Sequence, residues 1–80
     1  MRLEGQVALV FGAGGGVGQS VVRTLAMEGA HVAAADLRLP KGNDARLNGE
    51  LDASVTTAVQ DFLSAVIAEL GDPSITVNCQ

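Results

Sequence analysis

"VALVFGAGGGVGQSVVRTLAMEGAHVAAAD", residues 7–36, runs from an apolar segment through a glycine-dense loop into a helical pattern, then out to a second apolar segment. Val7–Phe11 is apolar and rich in strand formers, which reads as a buried strand. From Val17 to Glu28 the apolar residues fall at 17, 21, 22, 25 and 26, the stripe of an amphipathic helix. Gly29 stands where a glycine past a helix end belongs. His31–Ala35 is a second short apolar run and ends at Asp36. Strand, helix and strand in this order form a βαβ unit, with parallel strands and a right-handed crossover.

Outward from that unit, Leu39–Gly49 is polar and reads as a loop with at most a turn of helix. A short third strand is expected within Leu47–Leu51. Asp52-Ala53-Ser54 then offers caps for a long helix, whose apolar residues fall at 55, 59, 62, 66 and 70. Gly71-Asp72-Pro73 ends it, and Ile75–Val77 begins a last strand. No repeat, low-complexity segment or linker is visible. The expected order is β-α-β-loop-β-α-β, one mononucleotide-binding half of a doubly wound α/β parallel sheet. It ends on an uncovered strand, so residues 1–80 read as the N-terminal part of one larger domain.

Composition supports that reading. The 80 residues are 48% hydrophobic and 18% charged, with two Phe and no Tyr or Trp. Val, Ala and Leu supply the apolar content, as in a parallel sheet covered by helices. Net charge is −4, and Arg2, Arg23, Arg38, Lys41 and Arg46 form no stripe, which argues against a nucleic-acid partner. One cysteine, Cys79, permits no internal disulfide and points to a reducing, cytoplasmic setting. The start of the chain has no secretory pattern, and no segment reaches the ~20 apolar residues of a membrane helix.

The loop "FGAGGGVG", residues 11–18, holds five glycines in eight residues. The G-x-G-x-x-G fingerprint fails in every register, because Val17, Gln19 or Val21 stands where the last glycine is needed. The phosphate loop ending in G-K-[ST] fails for want of a lysine. G-x-x-x-G-x-G matches at Gly12, Gly16 and Gly18. Gly12 lets the chain turn out of the strand, Gly16 leaves room for a pyrophosphate at the helix start, and Gly18 lets helix and strand pack closely. Unpaired N–H groups and the positive helix end then hold the anion without a basic side chain. A bare glycine-rich turn is the alternative, but the position between strand and helix is the context the motif needs. Asp36, 18 residues after Gly18, stands near the ~20-residue offset of an acid that binds a ribose 2′-hydroxyl. A carboxylate accepts hydrogen bonds from that hydroxyl and repels a 2′-phosphate, so NAD is expected over NADP. Arg38 is the counter-argument, since an arginine there can accommodate the phosphate.

These residues resemble the short-chain dehydrogenase/reductase family, whose cofactor loop reads T-G-x-x-x-G-[IV]-G. "GAGGGVG" at 12–18 is similar to that loop, "LDAS" at 51–54 to its D-[VL]-[TS] segment, and "ITVNCQ" at 75–80 to the strand entering its N-N-A-G motif. The resemblance covers essentially the whole chain and implies a Rossmann-like three-layer fold. It implies that Gly12, Gly16, Val17 and Gly18 line the pyrophosphate, with Gly14 and Gly15 in the variable loop. Asp36 would hold the adenosine ribose, with Leu37 beside the adenine. Asp52 and the Ala53 backbone would contact the adenine ring, although Asp52 also reads as a plain helix cap. Asn78 would end the fourth strand beside the cofactor. The parent enzyme would transfer a hydride between the nicotinamide and an alcohol or carbonyl substrate, as a homo-oligomer.

The departures are specific. Phe11 stands where Thr or Ser is usual, so a loop hydroxyl is lost. Cys79 and Gln80 replace the second Asn and the Ala, and Cys79 reads as a small packed residue. His31 has no partner ligands nearby and reads as structural. The family's Ser and Y-x-x-x-K lie beyond the last residue here, so no catalytic residue is assigned and the chain alone is expected to be inactive. Two rivals remain at this point. Gly12-x-Gly14-x-Gly16 also fits a methyltransferase-like loop for S-adenosylmethionine, although Val10 stands where that class places an acid. A non-enzymatic product that binds nucleotide weakly, or associates through its open sheet edge, is the other.

Overall fold

A computed structural model of the chain describes residues 2–80. Its elements are β1 (Val7–Phe11), α1 (Gly16–Met27), β2 (His31–Asp36), β3 (Leu47–Glu50), α2 (Thr56–Glu69) and β4 (Ile75–Asn78). The strands form one parallel sheet in the order β3-β2-β1-β4.

The central pair is buried on both faces, as its unbroken apolar runs require. Ala8, Val10, Val32 and Ala34 face one way and pack with Val22 of α1 and Ala13, with Val21, Leu25 and Ala26 at the margin. Val7, Leu9, Ala33 and Ala35 face the other way beneath Phe62 and Val66 of α2. One helix therefore covers each face, giving three layers. The alanines of β2 keep the sheet surface low, and α1 sits close against β1 and β2. Gly49 in β3 goes further, because a Cβ there would collide with the Phe62 ring.

The outer strands alternate between half-buried and exposed residues. Ile75 and Val77 of β4 pack on the α1 side, while Thr76 and Asn78 are exposed. Helix α1 stops as the sequence predicts. Gly29 takes φ +95°, its N–H donates to the Ala26 carbonyl, and the Ala30 N–H donates to the Leu25 carbonyl, which is the Schellman arrangement. Gly71 at φ +107° ends α2.

One expectation is corrected. Residues 52–54 do not cap α2, whose N-cap is Val55, without a side-chain hydrogen bond. Asp52 Oδ1 instead accepts the Ser54 N–H (2.9 Å) and hydroxyl (2.7 Å), closing a local turn that spends the carboxylate before the helix begins.

Candidate functional site

Every candidate residue lies at or beyond the carboxyl end of a strand, the edge at which open α/β sheets bind ligands. The strand order reverses between β1 and β4, with α1 and α2 on opposite faces, so this edge also contains the topological switch point.

The chain leaves β1 at Gly12, which takes φ +75°. A Cβ there would lie 2.8 Å from the Gln80 nitrogen and 2.9 Å from the Cys79 carbonyl carbon, so both conformation and space demand glycine. The N–H groups of Gly12 and Ala13 donate to the Ala35 carbonyl at 2.9 and 3.2 Å, tying the loop to the end of β2. Gly18 is buried, and a Cβ there would collide with the Gly12 carbonyl and lie 2.7 Å from Ala13 Cα. The close approach is of helix to loop, just past the end of β1, whereas the sequence reading places it between helix and strand. Gln19, which the sequence reading gave no role, reinforces this approach with its amide on the Ala13 carbonyl.

The start of α1 is prepared for an anion. Its N-cap, Gly15, offers no side-chain bond, and no acidic residue lies in the first turn. Among the described residues, the N–H groups of Gly16, Val17 and Gly18 have no acceptor, and the first helical bond is Gln19 N–H to the Gly15 carbonyl. Nothing lies within 4 Å of a Cβ placed on Gly15 or Gly16, so the approach is open. Three convergent donors at a positive helix end fit a pyrophosphate.

Asp36 ends β2 beside this loop. Its Oδ2 accepts the Gly14 N–H at 2.8 Å and its Oδ1 accepts the Leu37 N–H at 2.7 Å. Each oxygen retains a lone pair, which suits the two hydroxyls of a ribose. Leu37 follows and is 66% exposed, available to cover a flat ring. Glu50, also missed from sequence, pairs in register with Asp36 and accepts the Leu39 N–H at 2.9 Å. Its signal was its place as the last residue of the third strand. The Leu51 N–H donates to the Asp36 carbonyl at 2.8 Å, which anchors the segment carrying Asp52 and Ala53 to the same edge. The Ser54 hydroxyl, and then its N–H, hold the exposed Asp52 carboxyl below the ordinary value of 3.8.

Asn78 pairs with Phe11 across β4 and β1, and its Oδ1 accepts the Gln80 N–H at 3.0 Å. Gly12, Gly14, Gly18, Asp36 and Leu37 thus form one connected unit. Asp52, Ala53 and Asn78 share its edge through backbone pairing. Phe11, in place of a hydroxyl residue, packs with the α2-side core. Cys79 is half-buried against the α1-side core, as expected of a packing residue. His31 Nδ1 lies 2.8 Å from Arg46 Nη1, a structural contact. Among the described residues no group of three His, Cys, Asp or Glu is placed to hold a metal, and no helix is long and apolar enough to cross a membrane.

No family model matches the chain. Individual proteins do. D-threitol dehydrogenase of Mycolicibacterium smegmatis is 37% identical over 87 residues, covering 96% of this chain and 34% of that protein. 2,3-Dihydro-2,3-dihydroxybenzoate dehydrogenase of Bacillus subtilis is 31% identical over 86 residues, covering 95% of this chain and 33% of that one. A double variant of a Serratia marcescens short-chain dehydrogenase/reductase superposes with a TM-score of 0.85 at 30% identity, over 99% of this chain and 37% of that chain. The chain belongs to the short-chain dehydrogenase/reductase family. A Bacillus anthracis short chain dehydrogenase, 18% identical with a TM-score of 0.84, shares the fold. Short-chain dehydrogenases/reductases are oxidoreductases that use a nicotinamide dinucleotide, NAD or NADP. The chain spans about a third of the length of the curated relatives it matches.

Proposed function

We propose that this chain is the NAD-binding part of a short-chain dehydrogenase/reductase that moves a hydride between the nicotinamide and an alcohol or carbonyl substrate. The observation that carries the reading is the juxtaposition of three unpaired N–H groups at the start of α1 with a backbone-held carboxylate at the end of β2. Gly16, Val17 and Gly18 would hold the pyrophosphate, and Asp36 the adenosine ribose. Leu37, Asp52 and Ala53 would border the adenine, and Asn78 the nicotinamide-side half. The dinucleotide, when bound, supplies the hydride chemistry. The residues here bind and orient it, and the groups that exchange protons with substrate belong to the rest of the parent enzyme.

Asp36 selects NAD, because a 2′-phosphate would meet a fixed negative charge. The same reading gives the parent a small-molecule substrate, a homo-oligomeric state and a cytoplasmic location. Titration with NAD and S-adenosylmethionine, followed by amide shifts, tests it. NAD should move the Gly16, Val17 and Gly18 resonances, whereas S-adenosylmethionine binding without NAD binding would refute it.

A further inference from the structure

We infer that Gly14 is a specificity-determining positioning residue, acting through Asp36; the inference rests on the proposed NAD site. Gly14 matches no fixed position of the loop motif and lies among its variable residues. Nor is its glycine identity explained by a positive φ, since the positive-φ glycines are Gly5, Gly12, Gly29, Gly42 and Gly71. It is explained by space. A Cβ on Gly14 would collide with the Arg38 carbonyl and lie 2.9 Å from Asp36 Oδ2.

The Arg38 carbonyl is itself held in place, because the next residue, Leu39, donates its N–H to Glu50 at 2.9 Å. The Gly14 N–H reaches Asp36 Oδ2 at 2.8 Å only because the loop can lie against this wall. With Leu37 N–H on Oδ1, both carboxylate oxygens are fixed by backbone donors. An aspartate fixed in this way cannot rotate away from a 2′-phosphate, so the repulsion between like charges is felt in full. An aspartate released from Gly14 can swing out, and exposed Arg38, two residues on, is then free to accommodate the phosphate. The discrimination between NAD and NADP is therefore a property of the Gly14–Asp36 pair.

A double-mutant cycle on Gly14→Ala and Asp36→Ala, read as the ratio of NADP to NAD dissociation constants, tests this. Gly14→Ala should lower the ratio about tenfold, the scale of one charge-assisted hydrogen bond. In the Asp36→Ala background it should change nothing further. NAD binding with an unchanged ratio in Gly14→Ala, or an equal drop in both backgrounds, overturns the inference alone. Failure of the unaltered chain to bind either nucleotide overturns it together with the reading beneath it. Amide exchange on the unaltered chain covers the case in which Gly14→Ala fails to fold. Gly14 should be protected, and should lose protection in Asp36→Ala but keep it in Asp36→Asn, which retains an acceptor oxygen. An unprotected Gly14 amide in the unaltered chain contradicts the inference.

Discussion

Glycine does three separate jobs in the seven residues after β1, and the motif spacing already distinguishes them. Gly12 supplies a left-handed turn, Gly18 a close approach to backbone, and Gly15 and Gly16 open space before three unpaired N–H groups. Gly18→Ala therefore meets backbone atoms that cannot give way. It should cost about 1–3 kcal/mol, a typical overpacking penalty, read as a melting temperature lower by several degrees. Asp36→Ala should raise the NAD dissociation constant about tenfold or more, the scale of hydrogen bonds to a charged group, with a smaller change for NADP. Calorimetric titration of both nucleotides measures that difference. The spacing that marks Gly12, Gly16, Gly18 and Asp36 was legible because it is one-dimensional. Gly14 and Glu50 were not, because their roles depend on which backbone lies opposite, and no spacing rule records that.

At the scale of elements, the apolar periodicities located both helices and the strand runs to within a residue or two. Burial on both faces makes the central strands read as continuous runs, and a one-sided helix reads as a stripe. The boundary before α2 was the exception. Asp52 and Ser54 are both good capping residues, and sequence does not show that they bond each other instead of the helix. The turn they close has a pH signature. The folded pKa of Asp52 is depressed, so its stabilising contribution is present above the unfolded value and is lost as pH falls through the folded one. The stability gap between the unaltered chain and Asp52→Ala should be constant above about pH 5 and close in more acidic solution. Chemical denaturation at stepped pH reads this gap, and one that persists at low pH would contradict the role assigned to the turn.

For the whole molecule, an 80-residue chain buries only about 60% of its unfolded surface, so its stability is a narrow margin. Phe62 is the largest buried side chain in the α2-side core, and Gly49 leaves room for its ring. Phe62→Ala should cost about 3–5 kcal/mol, enough to unfold much of a chain this short, as circular dichroism would show. The chain contains no tyrosine, the residue the family resemblance names as its general acid/base. Purified on its own it should give no hydride transfer with NAD and any alcohol, and measurable NADH formation would contradict that division of labour. Binding is the function proposed for the chain's own residues. The most direct measurement is an isotope-labelled titration with NAD, following the amides of Gly14, Gly16, Val17, Gly18 and Leu37. Saturable shifts at these positions, weaker with NADP, are the predicted result; unchanged amides at the start of α1 at millimolar NAD would contradict it.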